Sequence, residues 1–157
     1  MDTIIDSPKK CFDKTNAYIA GFIFLFTLII YRLTVAPPLS YWDCGEFIAC
    51  SYILGIPHPP GSPLFILIGR IFSILPVAAD ICFRVNILSI ISSAAAVVFG
   101  YLSVVRIIRF WFDENDTDTW SRFIPYIGGV VGSLFMAFAA TYWANAVEAE
   151  VYGLALM

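Results

Sequence analysis

Residues 85–105, VNILSIISSAAAVVFGYLSVV, hold no Asp, Glu, Lys or Arg. An α-helix crosses the ~30 Å hydrocarbon core of a bilayer with ~20 mostly apolar residues, and in lipid the helix satisfies every backbone polar group internally. This stretch therefore predicts a spanning helix. The rest of the chain agrees: 60% of its 157 residues are hydrophobic and 13% are charged, against roughly 45–50% and about 25% in soluble domains. A soluble fold lacks its charged skin here. Phe, Ile, Leu and Tyr are too abundant for a disordered chain, four Cys are too few for a disulfide scaffold, and a net charge of −3 gives no basic footprint for nucleic acid.

Two more runs meet the span criterion, residues 17–36 with Arg32 near the far end and residues 124–147 with no formal charge. The first is too long for a signal peptide and runs straight into Pro37-Pro38, so it reads as a retained anchor. A fourth run, 62–79, is short, carries Arg70 at its centre and has Pro76 near its end. Lys and Arg collect on the cytoplasmic side. Lys9, Lys10 and Lys14 precede the first span, and Arg106, Arg109 and Arg122 follow the second. Both groups fall on one side only if an even number of crossings separates them, so 62–79 is expected not to cross. The acidic run Asp113, Glu114, Asp116, Asp118 works against this weakly. The expected architecture is an all-α integral membrane helical bundle of three spans plus one interfacial or re-entrant helix. Its parts are a cytoplasmic N-terminus 1–16, span 17–36, outer loop 37–84 with the helix 62–79, span 85–105, cytoplasmic loop 106–123, span 124–147 and an outer acidic segment 148–157.

Asp43 and Glu46 lie three residues apart just after the first span and would share one helix face. Two carboxylates there can take a proton or bind a cation; a capping box gives the same spacing. In His58-Pro59-Pro60-Gly61-Ser62-Pro63 the prolines and the glycine make a rigid turn before a helix. His58, the only histidine, can donate to a phosphate or move a proton near neutral pH, or simply decorate the turn. Arg70 can pair with Asp43 or Glu46, bind a lipid phosphate, or snorkel to the headgroups as Arg32 is expected to do. Glu148 and Glu150, two apart, point in different directions on a helix, one toward a cavity and one toward solvent. Gly128, Gly129 and Gly132 form a GxxxG pattern for close helix packing, and Ser92 to Ala96 reads the same way. Cys11, Cys44, Cys50 and Cys82 form no CxxC pair and have one His to help them, which argues against a zinc or redox site. Cys44 and Cys50 either pair in an oxidising compartment or are small buried residues. No nucleotide loop, HExxH or nucleophile elbow is present, and the loop 113–119 carries nothing catalytic.

WDCGEF at 42–47, HPPGSPLFILIGRIFS at 58–73, RVNILS at 84–89 and WANAVEAEVYGLA at 143–155 together are more specific than any one alone. From about residue 17 onward the chain resembles the N-terminal part of a bacterial membrane-protein family first known as a domain of unknown function. Its animal relatives are transmembrane protein O-mannosyltransferases, and both belong to the glycosyltransferase C superfamily. The resemblance implies transfer of a mannose-like sugar from a polyprenyl-phosphate donor to a hydroxyl of a protein or other acceptor, at the outer membrane face. It makes Asp43 the base with Glu46 beside it, and matches Glu148 or Glu150 to a second acidic position. Arg70 or His58 would serve the donor phosphate. The implied partners are the lipid-linked donor, the acceptor and membrane lipid. No cofactor is implied with certainty and no metal cluster is visible in the sequence, though the outer acids can hold one divalent ion. In a bacterium the location would be the inner membrane.

Members of that family carry many more spans, so this chain is expected to be the first part of a larger enzyme or to meet the rest as a separate chain. Two readings from other classes stand beside the transferase. One is a non-enzymatic assembly subunit that uses the glycine-rich span; the other is a transport-type protein whose outer acids bind a cation.

Overall fold

A computed structural model describes residues 13–36, 43–59, 61–111 and 119–157. The expectations for Lys9, Lys10, Cys11, Pro37-Pro38, Tyr41, Trp42, Pro60 and the run Asp113 to Asp118 lie outside the described residues. Every element among the described residues is a helix: α1 (Lys14–Leu33), α2 (Cys44–Ile53), α3 (Pro63–Ile74), α4 (Ile81–Trp111), α5 (Thr119–Ala137), α6 (Ala140–Ala146) and α7 (Tyr152–Leu156). Two of them, α1 and α4, are long and apolar enough to cross a membrane, and α5 with α6 makes a third candidate.

Asp13 starts α1 by accepting the Asn16 N–H at 2.7 Å, a side-chain N-cap. At 20 residues the helix is about 30 Å long, one bilayer core. Phe22, Leu25, Ile29 and Leu33 are exposed along it, while Ala20, Ile23, Thr27 and Tyr31 are buried. The buried Thr27 hydroxyl is satisfied by the Ile23 carbonyl at 2.8 Å. The α4 helix has 31 residues, about 46 Å, and so extends well past one core thickness. Its Ser and Ala positions at 92–96 are almost all buried, which is where small side chains let neighbouring helices approach.

Two clusters of apolar side chains divide the molecule. One packs Ile23 and Tyr31 of α1 against Ile90, Val97, Tyr101 and Val105 of α4 and Ala137 and Ala146 of α5 and α6. The other packs Cys44, Phe47 and Ile48 of α2 against Phe65 and Ile66 of α3, Val85 and Leu88 of α4, and Ala149. The bundle therefore has two distinct ends. At one, Arg109 and Tyr126 meet Asp13. At the other, the Ala36 N–H donates to the Val147 carbonyl at 3.0 Å and α2 and α3 cover the start of α4.

The third apolar run is not one straight helix. Its two parts, Arg122–Ala137 and Ala140–Ala146, are bent by 69°. No proline or glycine lies between them. The buried Tyr31 hydroxyl donates to the Ala137 carbonyl at 2.9 Å, the carbonyl that a continuing helix would offer to residue 141. The bend is thus held from α1. Tyr31→Phe is expected to leave that buried carbonyl unpaired and to cost about 1–3 kcal/mol, read as a lower unfolding midpoint in micelles.

The helix expected over 62–79 is shorter, with 12 residues ending at Ile74. Leu75 is extended (φ −62°, ψ 130°), as the residue before Pro76 must be. Twelve residues reach about 18 Å, short of a crossing. Arg84, one turn into α4, holds the segment after α3 by donating to the Ala78 carbonyl at 2.6 Å and the Ser73 carbonyl at 3.1 Å.

Candidate active site

Asp43 precedes the α2 helix, and Leu54, whose left-handed backbone (φ 55°) caps it, follows its last residue. The chain turns back beyond Leu54, and Gly61 (φ 87°) and Ser62 (φ 37°) are left-handed just before α3. Pro63 follows as the first residue of α3, where a missing N–H costs nothing. This fold-back returns His58 to the start of α2. Its backbone N–H donates to Glu46 Oε1 at 2.9 Å, and its Nδ1 lies 2.7 Å from Glu46 Oε2. One carboxylate thus latches the turn with both oxygens. On the other side of the ring, Nε2 lies 3.7 Å from Asp43 Oδ2. The Phe47 ring, which packs on Phe65, supports the imidazole at 6.0 Å between centroids.

The capping-box explanation of Asp43 and Glu46 does not hold. Asp43 has helical backbone angles and its side chain makes no capping hydrogen bond, and both oxygens of Glu46 go to His58. What gathers here is a triad of Asp43, Glu46 and His58, all exposed, with ligand atoms within 4.8 Å of one another. Sequence spacing offered Asp43 and Glu46 as cation-binding carboxylates but did not join His58 to them, because the histidine sits twelve residues beyond Glu46.

The hydrogen bond from Glu46 raises the His58 imidazole above its ordinary 6.5, with Asp43, Glu46 and Glu150 adding attraction that outweighs burial. The same bond and that of the His58 backbone lower Glu46. Folding stability from His58 is complete below 6.5 and is lost as pH rises through the raised value. That from Glu46 is complete above 4.5 and is lost as pH falls through the lowered one. The latch is therefore fully charged between about pH 4.5 and 6.5, and loosens as pH rises through the raised His58 value or falls through the lowered Glu46 value. Imidazole NMR shifts are expected to give a midpoint above 6.5, and Glu46→Gln is expected to move it down toward that value.

Of the two late acids, Glu150 belongs with this group. It is 7% exposed, and His58 feels its charge. Burial, then repulsion from Glu148 and Asp43, raises its carboxyl above the ordinary 4.5. Sequence reasoning missed what holds it. The Ser89 hydroxyl on α4 donates to the Glu150 carbonyl and accepts the Glu150 N–H, both at 3.1 Å. Ser89 stood in the RVNILS run, but nothing in that run marked it as a clamp.

Arg70 is not part of the cluster. Among the described residues no ion pair joins it to Asp43 or Glu46. Its guanidinium donates to the Tyr52 carbonyl and lies 5.6 Å from the Tyr52 ring centroid. It fastens α3 to the far end of α2, about 9 Å along the axis from Glu46. Arg32 stacks on Phe83 at 4.1 Å. Cys44 and Cys50 are buried; six residues of helix hold them about 9 Å apart along the axis, beyond the ~7 Å Cα separation that a disulfide tolerates.

Residues 43–157, from Asp43 of this cluster to the last residue, match the family described as Protein O-mannosyl-transferase TMEM260 N-terminal domain. The chain belongs to that family. The matched segment of this chain contains the whole set Asp43, Glu46, His58 and Glu150. Two relatives carry the family's name. Protein O-mannosyl-transferase tmem260 of Dictyostelium discoideum is 28% identical over 159 residues, covering 98% of this chain and 18% of its own length. Protein O-mannosyl-transferase TMEM260 of Mus musculus is 26% identical over 132 residues, covering 84% of this chain and 17% of its own length. The chain spans less than a fifth of each of these relatives. No solved structure matches it.

Proposed function

We propose that this TMEM260 N-terminal domain supplies the catalytic carboxylates of a membrane glycosyltransferase of the glycosyltransferase C superfamily. It transfers a mannose-like sugar from a polyprenyl-phosphate donor to a hydroxyl of a protein acceptor. The observation that carries this reading is the Asp43–Glu46–His58 cluster, with Glu150 beside it, inside the segment shared with proteins named O-mannosyl-transferases. Asp43 is the base. An acceptor hydroxyl is a poor nucleophile until its proton is taken. Asp43 is open to that task at 53% side-chain exposure, whereas Glu46 is committed to His58 through both oxygens. His58, whose imidazole Glu46 raises above its ordinary value, offers positive charge in its protonated form to the departing lipid phosphate. It is better placed for this than Arg70, which is engaged at the far end of α2. Glu150 is the second acid.

In this reading Asp13 and Arg109 mark the cytoplasmic end of the bundle, and the acid cluster faces the outer side of the membrane. A lipid-linked donor keeps its chain in the bilayer, so the reacting bond lies at the interface. The short α3 helix, lying beside α2 rather than across the core, suits that position. The test is sugar transfer by the protein with Asp43→Asn. Loss of transfer with intact folding is the expected result, and unchanged transfer overturns the assignment of the base.

One observation favours a second reading. Asp43, Glu46 and His58 present two carboxylates and an imidazole close enough to hold one divalent cation, which would supply positive charge to a phosphate oxygen. Transfer that survives chelators while Asp43→Asn abolishes it favours the base. The assembly-subunit reading loses its main support, because Gly128, Gly129 and Gly132 already face Ile108, Val105, Tyr101 and Val104 of α4 within the same chain.

A further inference from the structure

We infer that the cavity opened by the bend between α5 and α6 is a binding site for a neutral pyranose ring. This rests on the transferase reading and assigns the place of the sugar within it. The cavity has a volume of about 560 Å³ and is lined by Ser93 of α4, Thr141, Tyr142 and Asn145 of α6, and Tyr152 and Gly153 of α7. Small-ligand pockets commonly measure ~300–1,000 Å³.

The lining selects the occupant. It has no charged side chain, so nothing in it neutralises a phosphate, a carboxylate or a cation. Most of the wall is apolar and suits the face of a ring, but an alkyl chain alone would leave the Asn145 amide and the Thr141 hydroxyl without hydrogen bonds. What remains is an uncharged molecule with several hydroxyls and an apolar face. Tyr152 offers an exposed aromatic ring for the C–H face of a pyranose. Asn145 spends one N–H on the Thr141 carbonyl at 2.7 Å and keeps its amide oxygen for a sugar hydroxyl. Tyr142 is fixed in the wall by donating to the Ser93 carbonyl at 2.8 Å.

Two contacts tie the cavity to the acid cluster. Ser89 clamps the Glu150 backbone, and Ser93 lies one turn further along the same face of α4, about 6 Å away. Gly153 completes the wall, because a Cβ there would stand 2.3 Å from Ser93 Oγ and 3.1 Å from the Ser93 backbone nitrogen. Only glycine lets α7 close against α4 at this point. A ring in the cavity would lie alongside Glu150, while its lipid or protein attachment remains outside.

The test measures sugar binding alone, with the membrane-embedded protein in nanodiscs and methyl α-mannopyranoside as the probe in saturation-transfer NMR. Wild-type protein is expected to give saturation transfer. Asn145→Ala should weaken it about tenfold, as the loss of one well-formed hydrogen bond does, and Phe135→Ala, on the outer face of α5, should leave it unchanged. Thr141→Val, exposed and nearly isosteric, should also weaken it and carries the test if Asn145→Ala does not fold. No transfer to wild type, equal binding in wild type and the folded variants, or equal loss in Phe135→Ala overturns the site. Competition by a polyprenyl-phosphate mannose identifies the sugar as the donor's. Its absence, with the free mannoside still bound, identifies a sugar carried by the acceptor. Because no transfer step is read, mannoside binding by a wild-type protein that transfers no sugar from a polyprenyl-phosphate donor would sink the transferase assignment and leave the cavity standing.

Discussion

Asp43→Asn is expected to lower the rate of sugar transfer by about 10²–10⁴-fold without changing the fold. The substitution keeps the shape of the side chain and removes its capacity to take a proton. Little else depends on that carboxylate. It makes no capping hydrogen bond at the start of α2, and the turn carrying His58 is held by Glu46 through two hydrogen bonds. Binding of the donor should therefore survive, so the loss falls on kcat rather than KM. Glu46→Gln makes the useful contrast. It weakens the latch and lets the turn carrying His58 shift, which should raise KM for the donor as well and shift the pH profile as His58 loses its charged partner. Equal kcat in wild type and Asp43→Asn would remove Asp43 from the chemistry.

The second large effect concerns the packing of α5 on α4, and it departs from what the sequence motif suggests. GxxxG singles out Gly128 and Gly132. The tightest point is Gly129 between them. A Cβ on Gly129 would meet Val105 at 2.6 Å and the Tyr101 ring at 2.9 Å, and both of those side chains are fully buried. At Gly128 the clash is with the terminal methyl of Ile108, which can rotate away, and at Gly132 the nearest atom is 3.7 Å off, an ordinary contact. Gly129→Ala is expected to destabilise by about 1–3 kcal/mol through overpacking, Gly128→Ala by less, and Gly132→Ala hardly at all. Thermal unfolding of the three variants in one detergent gives the order directly. Destabilisation confined to Gly128 and Gly132 would mean that the pair serves another helix.

Much of the site's composition was legible and little of its assembly. Asp43, Glu46 and His58 stood out as polar residues in short motifs between apolar runs, and Glu150 as one of two candidates. Their meeting depends on the left-handed Leu54 and the turn through Gly61 and Ser62, backbone choices that no spacing rule reports. The position of the Glu150 backbone depends on Ser89, 61 residues away. For Arg70 the sequence left pairing with the acids, phosphate binding and snorkelling open, because its position in an apolar run demanded a partner without saying which; a backbone carbonyl at the end of α2 meets the demand.

The sequence by itself determined that this is a helical membrane protein, because runs of ~20 apolar residues have one way to satisfy their backbone in lipid. It also determined which acids and which histidine are available for chemistry, and its joined motifs pointed to the family. Tertiary structure alone decided that the third run bends at 138–139, because Tyr31 of α1 takes the carbonyl needed to continue it. It alone decided that Glu46 latches His58, that Gly129 is the critical glycine, and that a cavity opens between α4, α6 and α7. These are contacts between residues distant in the chain, and local periodicity carries no record of which distant partner will arrive.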